Sequence, residues 1–278
     1  MQFGNRSLDL SVPRIMGILN VTPDSFSDGG RFCDLNAAVS HALAMCEAGA
    51  DFIDVGGEST RPGAQPVSVQ EELDRVCPVV ETLLKQTDAL ISVDTSTPEV
   101  MQEVIALGVH LINDVRAFSR PGAAEVVRDA PQALCIMHMQ GEPATMQDNP
   151  QYDNVVEDIR RFLLLRAQAL TRTGINSRRI LIDPGFGFGK TLAHNVALLK
   201  GLDRFADIGY PVLVGMSRKR MIGELTGRET PERVVGSAVA AAMAVERGAA
   251  IVRVHDVAQT RDAIRVAMAV REMKEYGH

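Results

Sequence analysis

The chain has 278 residues, of which 46% are hydrophobic and 23% charged, and 35 acidic against 29 basic residues leave a formal net charge of −6. Such a composition supplies a sizeable core and excludes a disordered chain. The acidic balance speaks against broad binding to nucleic acid or to an anionic membrane surface, which favours small-molecule work with room for a local basic pocket.

The opening MQFGNRSLDLSVPR lacks the apolar stretch of a signal peptide, and no uncharged run approaches the roughly 20 residues that span a bilayer, so the expected compartment is the cytoplasm. Within it, FGNRSLDL reads as a short hairpin turning at Gly4 and Asn5. Eight apolar runs follow. RIMGILN closes on Asn20, FIDVGGEST on Thr60, LISVDTS on Asp94, LINDV on Asn113, ALCIMHM on His138, ILIDPG on Asp183, PVLVGMSRK on Lys219 and AIVRVHD on His255. Each is followed by a helix-like stretch, at about thirty-five residues per unit. This predicts an α/β fold: a (β/α)8 TIM barrel, one domain over residues 1–278, with the hairpin covering its bottom. Chemistry in that fold sits on the rim at the strands' carboxyl ends.

The intervening segments carry helix signals. Ser68 with Glu71 forms a capping-box pattern, and Thr97-Pro98 and Thr230-Pro231 each place a capping hydroxyl before a first-turn proline. Val155, Ile159, Phe162, Leu163 and Leu170 mark one apolar face of what reads as the longest helix. GSAVAAAMAV, from Gly236 to Val245, is small and apolar enough for close packing or a subunit contact. Cys33, Cys46, Cys77 and Cys135 lack metal-ligand spacing, and three of them read as small buried hydrophobes.

On the rim, Asp94, Asn113 and Asp183 offer two carboxylates and an amide to a ligand edge rich in N–H groups, as on a fused pyrimidine such as a pterin. Any one of them alone equally fits a helix cap or an Asx turn. Lys219, Arg253 and His255 add a receiver for phosphate groups; Arg253 interrupts an apolar strand, so it should point inward or toward the rim. Two loops look specialised: NVTPDSFSDGGRF, from Asn20 to Phe32, as a lid able to present a metal ligand, and GGESTRPG, whose Thr60 and Arg61 suit an anion. DPGFGFGKT is not a P-loop, because Pro184 stands where that motif needs glycine, and its glycines miss the dinucleotide spacing; it reads as a tight turn carrying Phe188 to the rim.

LNVTPDSFSDGG, DVGGESTRPG, SVDTS, INDV, DPGFGFGKT, GMSRK and VRVHDV, in this order across nearly the whole chain, resemble the dihydropteroate synthases of folate biosynthesis. The resemblance implies a transferase, a sulfonamide target, that joins 4-aminobenzoate to 6-hydroxymethyl-7,8-dihydropterin diphosphate with Mg²⁺, releasing pyrophosphate, and a homodimer. It implies that Asp94, Asn113, Met137, Asp183, Phe188, Lys219 and Arg253 bind the pterin. Asn20, Thr60, Arg61, Arg253 and His255 would surround the diphosphate, and Asn20 and Asp28 would place Mg²⁺. Phe26, Thr60, Arg61, Pro62, Phe188, Lys219 and Arg220 would form the aminobenzoate side, and Asp94, Lys219, Arg253 and His255 would act in catalysis. Arg220 departs from the Ser that many members carry after the lysine of this motif, so helix N–H groups or Arg220 itself would meet the aminobenzoate carboxylate. The alternatives are a corrinoid-linked pterin-dependent methyltransferase and a catalytically silent pterin-binding paralogue.

Overall fold

The computed structural model describes residues 1–22, 30–59, 67–142 and 145–272, with the side chains of residues 30–34 and 272 excepted. The sequence readings at Phe26, Asp28, Thr60, Arg61 and Pro62 therefore lie outside the described residues. At the amino end, β1 (Gln2–Phe3) and β2 (Arg6–Ser7) form the expected antiparallel pair, turning through Gly4 at φ +58°. Eight parallel strands then close into a barrel: β3 (Arg14–Asn20), β4 (Phe52–Gly56), β5 (Leu90–Asp94), β6 (Leu111–Asp114), β7 (Ala133–Met137), β8 (Ile180–Asp183), β9 (Val212–Val214) and β10 (Ala249–Val254). Each pairs with the next, and β10 closes on β3. Around them run α1 (Gly30–Glu47), α2 (Val69–Gln86), α3 (Pro98–Leu107), α4 (Ala123–Arg128), α5 (Val155–Arg172), α6 (Leu192–Lys200), α7 (Asp203–Ala206), α8 (Arg220–Thr226), α9 (Val234–Glu246) and α10 (Val257–Glu272).

The period of two along each strand sorts the side chains into two cores. Met16, Phe52, Leu90, Leu111, Ala133, Leu181, Leu213 and Ile251 fill the lower barrel interior, while Ile15, Ile53, Ile91, Ile112, Leu134, Ile182 and Val252 face the helices. The hairpin closes the bottom with Phe3, which is fully buried and meets the Phe52 ring edge-on at 5.1 Å. With that interior packed by apolar groups, ligand chemistry is left to the opposite end.

The runs predicted to close on His138 and His255 pass their strands by one residue, and two others extend further. β4 stops at Gly56, because Gly57 presses on α2: a Cβ there would come within 2.7 Å of Val76 Cγ2. β9 stops at Val214, and Met216 to Lys219 form the turn into α8. The Ser68–Glu71 capping box forms. Thr97 is the N-cap of α3 by its backbone, but its hydroxyl makes no cap bond: it donates to the buried Glu72 Oε2 at 2.8 Å and accepts from Arg120 Nη1 at 3.2 Å. Thr230 opens only a 3₁₀ turn, and α9 begins at Val234.

On α5, which at 18 residues equals α1 and α2 and does not exceed them, Val155, Ile159, Leu163 and Leu170 are buried. Phe162 stands at the edge of that stripe, is 38% exposed and rests edge-on against His138 at 4.9 Å. Cys135 is buried; Cys46 and Cys77 are only half-buried, against the main core, and all three are free thiols. Among the described residues no helix is long and apolar enough to cross a membrane.

Candidate active site

Four inward-facing strand positions meet beneath the barrel mouth. Asp54 on β4 faces Ser92 in register, and Asp94 and Asn113 are register partners on β5 and β6, so the same pleat face carries all of them inward. Arg253 reaches across from β10, as its place within an apolar strand predicts. Its Nε donates to Asp54 Oδ2 at 2.6 Å and its Nη2 to Asp94 Oδ2 at 3.0 Å. Asp54 is completely buried and also accepts from Ser92 Oγ at 2.5 Å and Asn113 Nδ2 at 3.2 Å. A buried carboxylate is tolerated only when paired and saturated with donors, as here. Sequence reasoning missed Asp54, although the signal that exposed Arg253, a charge inside an apolar strand, is equally present in FIDVG.

Asp183 ends β8 beside Met137, its register partner at the top of β7. Its Oδ1 accepts the Gly185 N–H at 2.7 Å. The GFGFGK segment that follows is a compact turn. Gly185, at φ +71°, lies so close to the His138 carbonyl that a Cβ there would sit 1.9 Å from the oxygen. Lys190 is not a phosphate ligand; it is buried and donates to the carbonyls of Gly185 at 2.8 Å and Phe188 at 2.9 Å, with His138 Nδ1 at 3.1 Å. Burial, followed by the charge of Lys190, pushes His138 down to about 3, which keeps its ring neutral. This inner clamp holds the turn that brings Phe188 under Lys219, whose Nζ lies 4.5 Å from the ring centroid and donates to Phe186 O at 2.6 Å.

The two groups of residues form one electrostatic unit. Burial raises Asp94 to about 7, partly opposed by Arg253 and reinforced by Asp54. Burial also raises Asp183, against the charge of Lys219, and lowers Lys219 to about 8, against the pull of Asp183. Burial would lower Arg253, but Asp54 and Asp94 outweigh it and push its value up. The cup therefore presents Asp94 near 7 and Asp183 raised by burial, together with an amide and two cations. That set can receive a flat heterocycle through its N–H groups while holding an anionic substituent.

If ionised Asp94 and protonated Lys219 are both required, kcat/KM should be bell-shaped. It should fall below about pH 7 as Asp94 gains its proton and above about pH 8 as Lys219 loses its own. Asp94→Asn should erase the acid limb from the pH–rate profile.

Around the cup, Asn20 ends β3 with its Oδ1 3.8 Å from where a Cβ on Gly56 would lie. His255 follows β10, its N–H donating to Ser217 Oγ at 3.2 Å. Arg220 turns away: its exposed guanidinium pairs with Glu224 one helical turn on, at 2.5 Å.

A closed parallel barrel with this cup at its mouth defines a pterin-binding barrel enzyme, and the model of the family "Pterin binding enzyme" matches residues 16–255. Dihydropteroate synthase of Escherichia coli K12 is 52% identical over 269 residues, 97% of this chain and 95% of that protein. The Yersinia pestis dihydropteroate synthase, solved in a sulfonamide drug complex, superposes with a TM-score of 0.94 at 49% identity, over 98% of this chain and 99% of that one. The Xanthomonas albilineans synthase in complex with 7,8-dihydropteroate gives 0.90 at 49% identity, over 99% and 100%. The chain belongs to the dihydropteroate synthases.

Proposed function

We propose that the protein joins 4-aminobenzoate to 6-hydroxymethyl-7,8-dihydropterin diphosphate, giving 7,8-dihydropteroate and pyrophosphate, with the cytoplasm as the proposed compartment. The observation that carries this reading is the convergence of Asp94, Asn113, Asp183, Lys219 and Arg253 on one barrel mouth. The product complex of the Xanthomonas relative supports it.

In this reading Asp183, Asp94 and Asn113 meet the polar edge of the pterin, Lys219 donates to its ring carbonyl and imine nitrogen, and Met137 and Phe188 line the pocket. The bond between the pterin methylene and the diphosphate oxygen breaks first, its electron pair leaving with oxygen. Arg253 and His255 hold the departing charge, and ionised Asp94 stabilises the cation spread over the ring. The aniline nitrogen then attacks the methylene and releases a proton.

Mg²⁺ fits the donors at hand. Asn20 brings an amide oxygen to the end of β3, and with Asp28 and the diphosphate it would complete an all-oxygen set. Bound there, the ion would offset diphosphate charge. Phe26, Thr60, Arg61 and Pro62 are proposed for the aminobenzoate side, with Thr60 and Arg61 also facing the diphosphate. With Arg220 engaged by Glu224, the N–H groups at the start of α8 are the better receivers of the aminobenzoate carboxylate.

The test follows pyrophosphate release and dihydropteroate together, with and without 4-aminobenzoate. Stoichiometric formation of both establishes the reading, whereas tight pterin binding with no product would mark a silent paralogue. Because the diphosphate is proposed to order the aminobenzoate side, aminobenzoate should bind only with pyrophosphate or the pterin diphosphate present, as calorimetry would show.

A homodimer is proposed as well. Val235, Val239 and Met243 on α9 are 74%, 52% and 38% exposed at one-turn spacing, and Val266 and Val270 on the adjoining α10 are 66% and 69% exposed. An apolar stripe shared by two packed helices suits a two-fold contact. Sedimentation should give twice the chain mass, and Val239→Lys should shift it to the monomer.

A further inference from the structure

Three consecutive residues after β9 send their side chains to different parts of the rim. Ser217 Oγ receives the His255 N–H and lies 3.1 Å from His255 Nδ1. Lys219 turns toward the β8 loop and donates to Phe186 O. Between them Arg218 adopts a left-handed conformation, φ +57°, and grips Asp256 twice, Nε to Oδ2 at 2.9 Å and Nη2 to Oδ1 at 2.6 Å.

The left-handed turn is what divides the three directions, and a residue with a Cβ adopts it only where its surroundings impose it. The backbone of Arg218 is pinned on both sides: its N–H donates to Ser237 Oγ at 2.9 Å, and its carbonyl accepts from Arg233 Nη1 at 3.0 Å. Its guanidinium is held by Asp256 in the two-pronged geometry that sets orientation as well as attraction. One third of the arginine side chain is exposed, so the pair contributes little to folding; what it fixes is the β9–α8 loop against the β10–α10 loop.

We propose that Asp256 is a positioning residue: through its paired contacts with Arg218 it locks these two loops together, so that Lys219 and His255 face the same diphosphate-bearing pterin. The proposal rests on the synthase reading for its ligand. Neither Arg218 nor Asp256 needs to touch substrate; they act through the neighbours on either side of each.

The experiment compares Asp256→Asn, Asp256→Glu, Arg218→Gly and the double variant Asp256→Asn with Arg218→Gly. Glycine keeps the left-handed turn without strain while removing the guanidinium. The affinity for the pterin diphosphate is measured calorimetrically, and KM and kcat are measured beside thermal unfolding.

Asp256→Asn and Arg218→Gly should each weaken binding and lower kcat/KM roughly tenfold to a hundredfold, the scale of a reacting group misplaced by about 1 Å. KM for the pterin diphosphate should rise and the unfolding midpoint should stay close to that of the parent. Asp256→Glu should recover part of the loss, and the double variant should be no worse than the worse single one. Wild-type affinity in Asp256→Asn, additive losses in the double variant, or a lowered midpoint with unchanged KM would each overturn the proposal. A parent protein that binds the pterin diphosphate without turning over would sink the synthase reading instead, and the calorimetric comparison would still decide the role of Asp256.

Discussion

Replacing Arg253 with methionine should lower turnover by roughly 10²–10³-fold and destabilise the fold by about 3–5 kcal/mol. The reason lies in what Arg253 leaves behind. Asp54 is fully buried and Asp94 nearly so, and the guanidinium is the cation that bonds to both, at 2.6 and 3.0 Å. Removing one partner of a buried pair strands the other charge, which costs far more than the pair itself contributed. Pairing the change with Asp54→Asn should therefore recover much of the stability, because the amide can keep neutral contacts with Ser92 and Asn113. Activity should stay low, since the guanidinium that shares with His255 in holding the charge leaving with the diphosphate is gone. Chemical denaturation of the single and double variants checks the first claim and the coupled pyrophosphate assay the second. Equal stabilities of the two variants would show that Asp54 is not held by Arg253.

Asp183→Asn should weaken pterin binding by about one to two powers of ten, the value of one charge-assisted hydrogen bond at about 1.5–3 kcal/mol. The exchange keeps the size of the side chain, and the Gly185 N–H can still find the amide oxygen, so the loop should hold. A second effect follows from the charge. Asp183 is the stronger of the two carboxylates, with Asp94, that act to raise Lys219, so without it the alkaline limb of the pH profile should move below about pH 8. Titrating the pterin diphosphate into the variant, and repeating the pH profile, reads both. Wild-type affinity would exclude Asp183 from the ligand edge.

Much of the fold was legible along the chain. Each of the eight apolar runs contains a barrel strand, because the two-residue alternation that buries one strand face inside the barrel and the other under helices is written directly in residue order. The rim was legible for the same reason: a polar residue that closes such a run, like Asp94 or Asp183, has its direction set by its neighbours. The misses occurred where direction depends on something else. Asp54 lies one pleat below the rim, where its saturation by Ser92, Asn113 and Arg253 cannot be foreseen. The Thr97 hydroxyl makes no cap bond to α3, because Glu72 on another helix and Arg120 take it up.

The sequence alone established the strand count, the closed barrel, the carboxylates and cations at its mouth and the family, since each depends on local periodicity or on motifs in order. Tertiary structure alone assigned partners: Arg253 to Asp54 and Asp94, Lys190 inward to the carbonyls of its own turn, Arg218 to Asp256, and Arg220 away to Glu224. A cation's charge is evident from its identity, but the carboxylate or carbonyl it reaches depends on where the backbone of distant segments passes. Arg253 and Asp54, 199 residues apart in the chain, become neighbours only when the barrel closes.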